Sequence, residues 1–265
     1  MIVLVPIWKR PEITELCFLG LDRLRQYRDL EILAIISEDS FKSRCLKHDI
    51  RYTFFENILG AKKNHGLQEA LKLEWDYLLE INSDDLIKNE LLDVYDSMTD
   101  DFIGLQNFCF MNSKTKEVRQ VASNTMYGIG RRYSRQSVER AALCTGVTMK
   151  ESLVSDMRLL ERGNRYDVPP AIADDLEKSG RCQKGDTTFK LWDDKAMVGM
   201  DNHARMMMKK SGYNGRLVFT DEPLAVDIKS DVNIWKWNPD AGVPYPYEEL
   251  INGLSDKEIE CLEQI

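Results

Sequence analysis

Tyr77-Leu78-Leu79-Glu80-Ile81-Asn82-Ser83-Asp84-Asp85-Leu86 is the stretch from which the rest of the chain can be read. Residues 77–81 form an apolar run that predicts a buried strand, and the strand gives way to a loop carrying two adjacent carboxylates. Like charges this close repel and disfavour each other's ionised form. A hard divalent cation relieves that repulsion, because carboxylate oxygens suit Mg²⁺ and Mn²⁺. The plainer alternative is an acidic turn that caps the helix after it.

Outward from this segment, the first hundred residues alternate strand and helix. Ile2–Val5, Glu31–Ile36, Arg51–Phe55 and Tyr77–Ile81 read as strands. Thr14–Tyr27, Lys62–Glu74 and Asn89–Met98 carry apolar residues at helical spacing. Strands separated by helices imply βαβ units and a mainly parallel sheet, whose ligands sit at the carboxyl ends of the strands. Three polar loops fall there: Pro6-Ile7-Trp8-Lys9-Arg10, Ser37-Glu38-Asp39-Ser40 and Asn82-Ser83-Asp84-Asp85.

The second half is less regular. Residues 102–110 and 117–122 predict a hairpin around Asn112-Ser113-Lys114. Residues 136–142, 150–161 and 201–211 predict helices, the last stopped by Gly212, and residues 163–195 predict an irregular excursion. Leu217–Ile228 reads as extended. Ser255-Asp256-Lys257-Glu258 has capping-box spacing and opens a last short helix.

The order of these pieces resembles a GT-A glycosyltransferase of the family-2-like type. Val3–Pro11 resembles its first strand and the loop beneath the nucleotide, and Ile35–Ser40 its acidic second-strand segment. Gly60-Ala61-Lys62-Lys63-Asn64-His65-Gly66 resembles its helix start, Ile81–Asp85 its metal-binding DXD motif in the xDD form, and Gly199-Met200-Asp201-Asn202 its later acidic motif. The resemblance covers residues 1 to about 235, with 1–100 as the nucleotide-sugar half, 101–235 as the acceptor half and 236–265 as a tail. It implies an α/β GT-A fold: a Rossmann-like, mainly parallel sheet with helices on both faces and an irregular acceptor side.

The resemblance also implies roles. Asp85 is the direct ligand of Mn²⁺ or Mg²⁺, and Asp84 holds the ribose or a metal-bound water. Pro6, Trp8, Glu38, Asp39, Lys63, Asn64 and Ser83 line the nucleotide-sugar site, with a UDP-sugar as first candidate donor. Asp201 is the general base and attack inverts the anomeric carbon; the alternative for Asp201 is a simple N-cap. His203 is a candidate further metal ligand and Asp227 another late one. Trp192, with Asp193 and Asp194, is a candidate sugar platform, and Trp235 and Trp237 are candidates to close over the donor. Met206-Met207-Met208 reads as helix packing.

Other classes stay open at this level. A sugar nucleotidyltransferase usually wants a glycine-rich basic loop after the first strand, and Pro6–Pro11 has no glycine. A non-catalytic nucleotide- or carbohydrate-binding module is the non-enzymatic alternative. The acceptor could be a glycan precursor, a protein, a small molecule or a hydroxylated DNA base. A net charge of −8 over 265 residues gives no general attraction to nucleic acid, although Arg131, Arg132 and Arg135 cluster. No apolar run is long enough for a membrane span, the start reads as a strand rather than a leader, and six scattered cysteines without a CxxC pair predict reduced thiols in a cytoplasmic protein.

Overall fold

The computed structural model describes residues 1–155, 158–195, 200–233 and 236–265. The first half runs β1 (Ile2–Ile7), α1 (Pro11–Tyr27), β2 (Glu31–Ile36), α2 (Lys42–Lys47), β3 (Arg51–Phe54), α3 (Leu59–Ala70), β4 (Tyr77–Glu80), β5 (Asp85–Ile87) and α4 (Glu90–Asp96). Then come β6 (Phe102–Leu105), β7 (Asn107–Asn112), β8 (Val118–Ala122), β9 (Arg131–Ser134), α5 (Arg135–Ala142), β10 (Leu143–Met149), β11 (Leu153–Ser155), β12 (Arg158–Leu160), β13 (Arg165–Val168), α6 (Pro170–Lys178) and β14 (Cys182–Phe189). The chain ends with α7 (Met200–Lys210), β15 (Arg216–Val218), β16 (Ala225–Lys229), β17 (Val243–Pro244), α8 (Tyr247–Ile251) and α9 (Asp256–Gln264).

The central sheet has seven strands in the order β15-β6-β9-β4-β1-β2-β3. β1 pairs in parallel with β2 and β4, β2 with β3, and β15 with β6; β9 alone runs antiparallel, between β4 and β6. β1 is buried at every position because both its faces are covered. Val3, Val5 and Ile7 pack with Phe18, Leu21 and Leu24 of α1, while Ile2 and Leu4 pack with Leu67 and Ala70 of α3. Helices therefore lie on both faces of a mainly parallel sheet, as expected. Gly66 lets α3 settle this closely: a Cβ there would stand 2.6 Å from Ile35.

A second sheet, β17-β8-β7-β16-β5, meets the first where β4 ends. It packs Leu86, Met111, Val226 and Ile228 against Ile13 and Leu16 of α1 and Leu262 of α9. The capping box at Ser255 is present: its Oγ accepts from Glu258 N and the Glu258 carboxylate accepts from Ser255 N.

Three expectations are corrected. Residues 102–110 are two strands in different sheets, parted at Gln106, whose N–H bonds Val218 O at 2.8 Å. Residues 150–161 are not a helix: β11 and β12 pair antiparallel, Leu153 opposite Leu160, and so short an apolar stretch fits either period. The excursion is regular. β13, β10 and β14 form an antiparallel sheet with α6 packed on it through Val147, Met149, Ala173 and Leu176. Its strands are rich in exposed charge, which hid their alternation.

Candidate active site

The end of β4 makes a tight turn. Asp85 N bonds Asn82 O at 3.1 Å, so Asp85 is not in a loop but opens β5. β16 runs antiparallel to β5 with Asp227 opposite Asp85, and Ile228 N bonds Asp84 O at 2.8 Å. This register brings Asp84, Asp85 and Asp227 together, with one oxygen of each within 4.8 Å of the others.

Each carboxylate has one oxygen taken. Asp84 Oδ2 accepts from Arg10 Nη1 at 2.6 Å and Asn233 Nδ2 at 2.7 Å. Asp85 Oδ2 accepts from Asn82 N at 2.7 Å and Asn82 Nδ2 at 2.9 Å. Asp227 Oδ2 accepts from Lys229 Nζ at 2.5 Å. The remaining Oδ1 atoms of Asp85 and Asp227 are buried and receive no hydrogen bond. Burial, then the charges of Asp227 and Asp84, push the Asp85 carboxyl well above the usual range. Burial lifts Asp227 to about 6, with Lys229 opposing and Asp84 adding to the rise. Buried, unpaired carboxylate oxygens are costly, and either a proton or a divalent cation relieves that cost.

Arg10 reaches this centre from the first loop. Lys9 and Arg10 both adopt left-handed backbone, φ 54° and 57°, and Pro11 then starts α1. This aims the Arg10 guanidinium at Asp84 and at Ser83 Oγ, 3.1 Å away. Pro6 is buried within β1, and Trp8 is half-buried under the Lys9 amine at 4.4 Å.

The other expected residues are placed as follows. Glu38 and Asp39 follow β2, and Asp39 is exposed and paired with Lys42 at 2.9 Å. Lys63 is buried, and its amine is committed to Glu80 on β4, which also takes Arg131 at 3.1 Å and the Tyr133 hydroxyl at 2.8 Å. Asn64 ties α3 to the segment after β14: its amide bonds Trp192 O and Asp194 Oδ1, and its carbonyl accepts from Leu191 N and Trp192 N. Trp192 is 1% exposed and packs among Leu67, Val138 and Tyr133, so it offers no face to a sugar. The side chain of Asp201 and the whole of Gly199 and Trp235 lie outside the described residues. His203 is half-buried on α7, which packs on α5 through Ala204 and Met208, and it is not part of the acidic group. Trp237 is half-buried.

The arginine cluster is structural. Arg131 is fully buried against Glu80. Arg132 donates to the carbonyls of Tyr95, Met98 and Asp100 at the end of α4, and Arg135 to those of Leu71 and Leu73. Arg131 and Arg132 are therefore withdrawn from the surface, whereas Arg135 is half-buried and paired with Glu139 at 2.8 Å.

Sequence reasoning missed Arg10, Asn233 and Lys229. Lys229 was legible as the same-face neighbour of Asp227 on a strand. Asn233 carries no sequence signal.

No protein-family model matches the chain, and no curated protein matches it by sequence. Among solved structures, the chain is similar to S. aureus TarS 1–349, at 13% identity over 86% of this chain and 60% of that one, TM-score 0.43. It is similar to the glycosyltransferase GlyE of Streptococcus pneumoniae TIGR4, at 10% identity over 99% of this chain and 62% of that one, TM-score 0.45. It is similar also to the inositol-1-phosphate CTP transferase of T. maritima, at 11% identity over 99% and 95%, TM-score 0.39. The chain thus spans about 60% of the length of TarS 1–349 and of GlyE. Among the described residues, no helix is long and apolar enough to cross a membrane.

Proposed function

We propose that the protein is a metal-dependent glycosyltransferase that moves a sugar from a nucleotide-sugar donor to an acceptor hydroxyl. The observation that carries this is the meeting of Asp84, Asp85 and Asp227, one oxygen of each within 4.8 Å of the others. Hydrogen bonds from Arg10, Asn233, Asn82 and Lys229 hold one oxygen of each carboxylate, and the other oxygens of Asp85 and Asp227 are buried and accept no hydrogen bond. Such outer partners orient ligands and set their affinity.

A bound Mn²⁺ or Mg²⁺ supplies Lewis-acid neutralisation of the diphosphate as it leaves. The chain's own residues do the rest. Asp84, Asp85 and Asp227 would hold the cation at the carboxyl edge of the sheet, next to the loops that follow β1 and β2. Arg10 and Lys229 offset two of the three negative charges, which lets the acidic residues stay clustered without the cation. Asp201, at the start of α7, takes the proton from the acceptor hydroxyl, and attack opposite the diphosphate inverts the anomeric centre.

Nucleotidyl transfer would use the same cation on the same carboxylates. It also needs a backbone cradle for a triphosphate after β1, and residues 6–11 supply strained, glycine-free backbone instead. The test is incubation with Mn²⁺ and a panel of nucleotide sugars. Release of a nucleoside diphosphate supports glycosyl transfer, whereas pyrophosphate release from a nucleoside triphosphate and a sugar phosphate contradicts it.

A further inference from the structure

The pairings of the second sheet set four residues in one row across four strands: Asp85 on β5, Asp227 on β16, Phe110 on β7 and Arg119 on β8. Alternation along the strands puts all four on one face. The other face carries Leu86, Val226, Cys109, Met111 and Val118 into the core against α1 and α9. The row thus runs on from the acidic group to an aromatic ring and then to a cation. Lys229 links the first two steps: its amine bonds Asp227 Oδ2 at 2.5 Å and stands 4.7 Å from the Phe110 ring centroid. Phe110 is half-buried and meets Phe108 edge-to-face at 5.1 Å, and Phe108 meets the exposed Tyr127 at 5.0 Å. Arg119 is half-buried and, among the described residues, joins no ion pair. Its cross-strand neighbours are Phe110 and Pro244, and the carboxylate of Glu117, on the same face, accepts from Thr115 Oγ1 at 3.1 Å instead. Two strand spacings, roughly 10 Å between backbones, separate Arg119 from Asp227.

We infer that Phe110 and Arg119 form an acceptor subsite that selects hydroxylated substrates bearing an anionic group, a phosphate or a carboxylate. This names a substrate class for the proposed function and rests on it. A guanidinium without a carboxylate partner offers a planar fork of N–H donors that phosphate and carboxylate both match. The Phe110 ring supplies apolar surface for the C–H face of a sugar or polyol. A substrate the size of one sugar ring spans the row. Anchored by its anion on Arg119 and laid along Phe110, it turns a hydroxyl toward Asp227 and the leaving diphosphate. The acids repel an anion, so the charges of the row also set the orientation: the anionic end lies at Arg119 and the reacting hydroxyl at the acids.

The experiment is a ligand-observed NMR titration of the full chain with glucose, glucose 6-phosphate and glucuronate, in EDTA so that no phosphate is held through a metal. Wild type should bind at least one charged sugar about tenfold tighter than glucose. Either charged sugar in first place supports the inference, and their order tells phosphate from carboxylate. Arg119→Gln should bring both down to the level of glucose, Arg119→Lys should keep part of the preference, and Phe110→Leu, which keeps apolar bulk, should weaken all three. Wild type that binds glucose as well as the charged sugars, or that binds neither charged sugar, overturns the inference whether or not the variants fold. So does a preference that survives in a folded Arg119→Gln, which would leave Arg119 a solvated edge arginine. In these cases glycosyl transfer itself stands, provided nucleotide sugars and Mn²⁺ still yield a nucleoside diphosphate. Absence of that product overturns the proposed function and this inference together.

Discussion

Asp85 and Asp227 face each other across the antiparallel pairing of β5 and β16, each with one buried carboxylate oxygen that accepts no hydrogen bond. Two side chains 142 positions apart in sequence are thereby held side by side as buried acids. The strain of this arrangement is electrostatic. Neutralising either group should relax the metal-free fold, and only function should suffer.

Asp227→Asn keeps the size of the side chain and removes its charge. In the absence of divalent metal it should raise the melting temperature by a few degrees at pH 7.5, corresponding to about 1 kcal/mol. Differential scanning calorimetry with EDTA checks it. A lower melting temperature would mean that the ionised carboxylate is a stabilising partner of Lys229 and not a constrained ligand.

Asn233→Ala should weaken Mn²⁺ binding by roughly tenfold while leaving Asp84 in place, because Asn233 fixes which oxygen of Asp84 is turned away from the shell. Isothermal titration with Mn²⁺ alone reads this. Unchanged affinity would show that Arg10 suffices to orient Asp84.

Glu80 is the hub of a buried cluster holding Lys63, Arg131 and Tyr133. Removing one member leaves buried charge uncompensated, so Glu80→Ala should cost about 3–5 kcal/mol in urea unfolding. A loss below about 1 kcal/mol would mean that water enters and satisfies the two cations.

His48 ties α1 to α2, with Nδ1 at 2.5 Å from Asp22 and Nε2 at 3.1 Å from Glu15. Burial works against the imidazolium, but the hydrogen bonds to the two carboxylates outweigh it and the pKa is raised. A group whose folded pKa lies above its unfolded value contributes fully below the unfolded value, near 6.5, and loses that contribution as pH rises through the folded one. His48→Gln should therefore cost about 1 kcal/mol at pH 5.5 and much less at pH 9. Urea melts at the two pH values decide it, and a cost that grows with pH would contradict the charged form.

The first hundred residues were legible because each element carries one clear period: α1 buries Leu16, Leu21 and Leu24, and β1 is apolar throughout. The tandem acids at 84 and 85 were legible for the same reason, at the end of an apolar run. The excursion was not. Cys182–Phe189 of β14 is an eight-residue strand reading CQKGDTTF, apolar only at its two ends, so its pairing with β10 leaves no apolar alternation to find. Lys63 and Asn64 show the limit of motif spacing. The sequence places both at the helix start, but which way a helix turns its side chains is set by packing, here by the fit of Gly66 against Ile35. That fit leaves Lys62 beside the end of β1 and sends Lys63 to Glu80. Asn233 and Arg10 became visible only when chain closure brought residues 10, 84 and 233 to one point.

The central claim is that Asp84, Asp85 and Asp227 together hold one divalent cation. Electron paramagnetic resonance titration of Mn²⁺ into wild type, Asp85→Ala and Asp227→Ala tests it without substrate or turnover. The account predicts one bound ion per wild-type chain, and affinity reduced by more than about 100-fold in both variants. Wild type that leaves Mn²⁺ free in solution, or variants that bind it as wild type does, would contradict it.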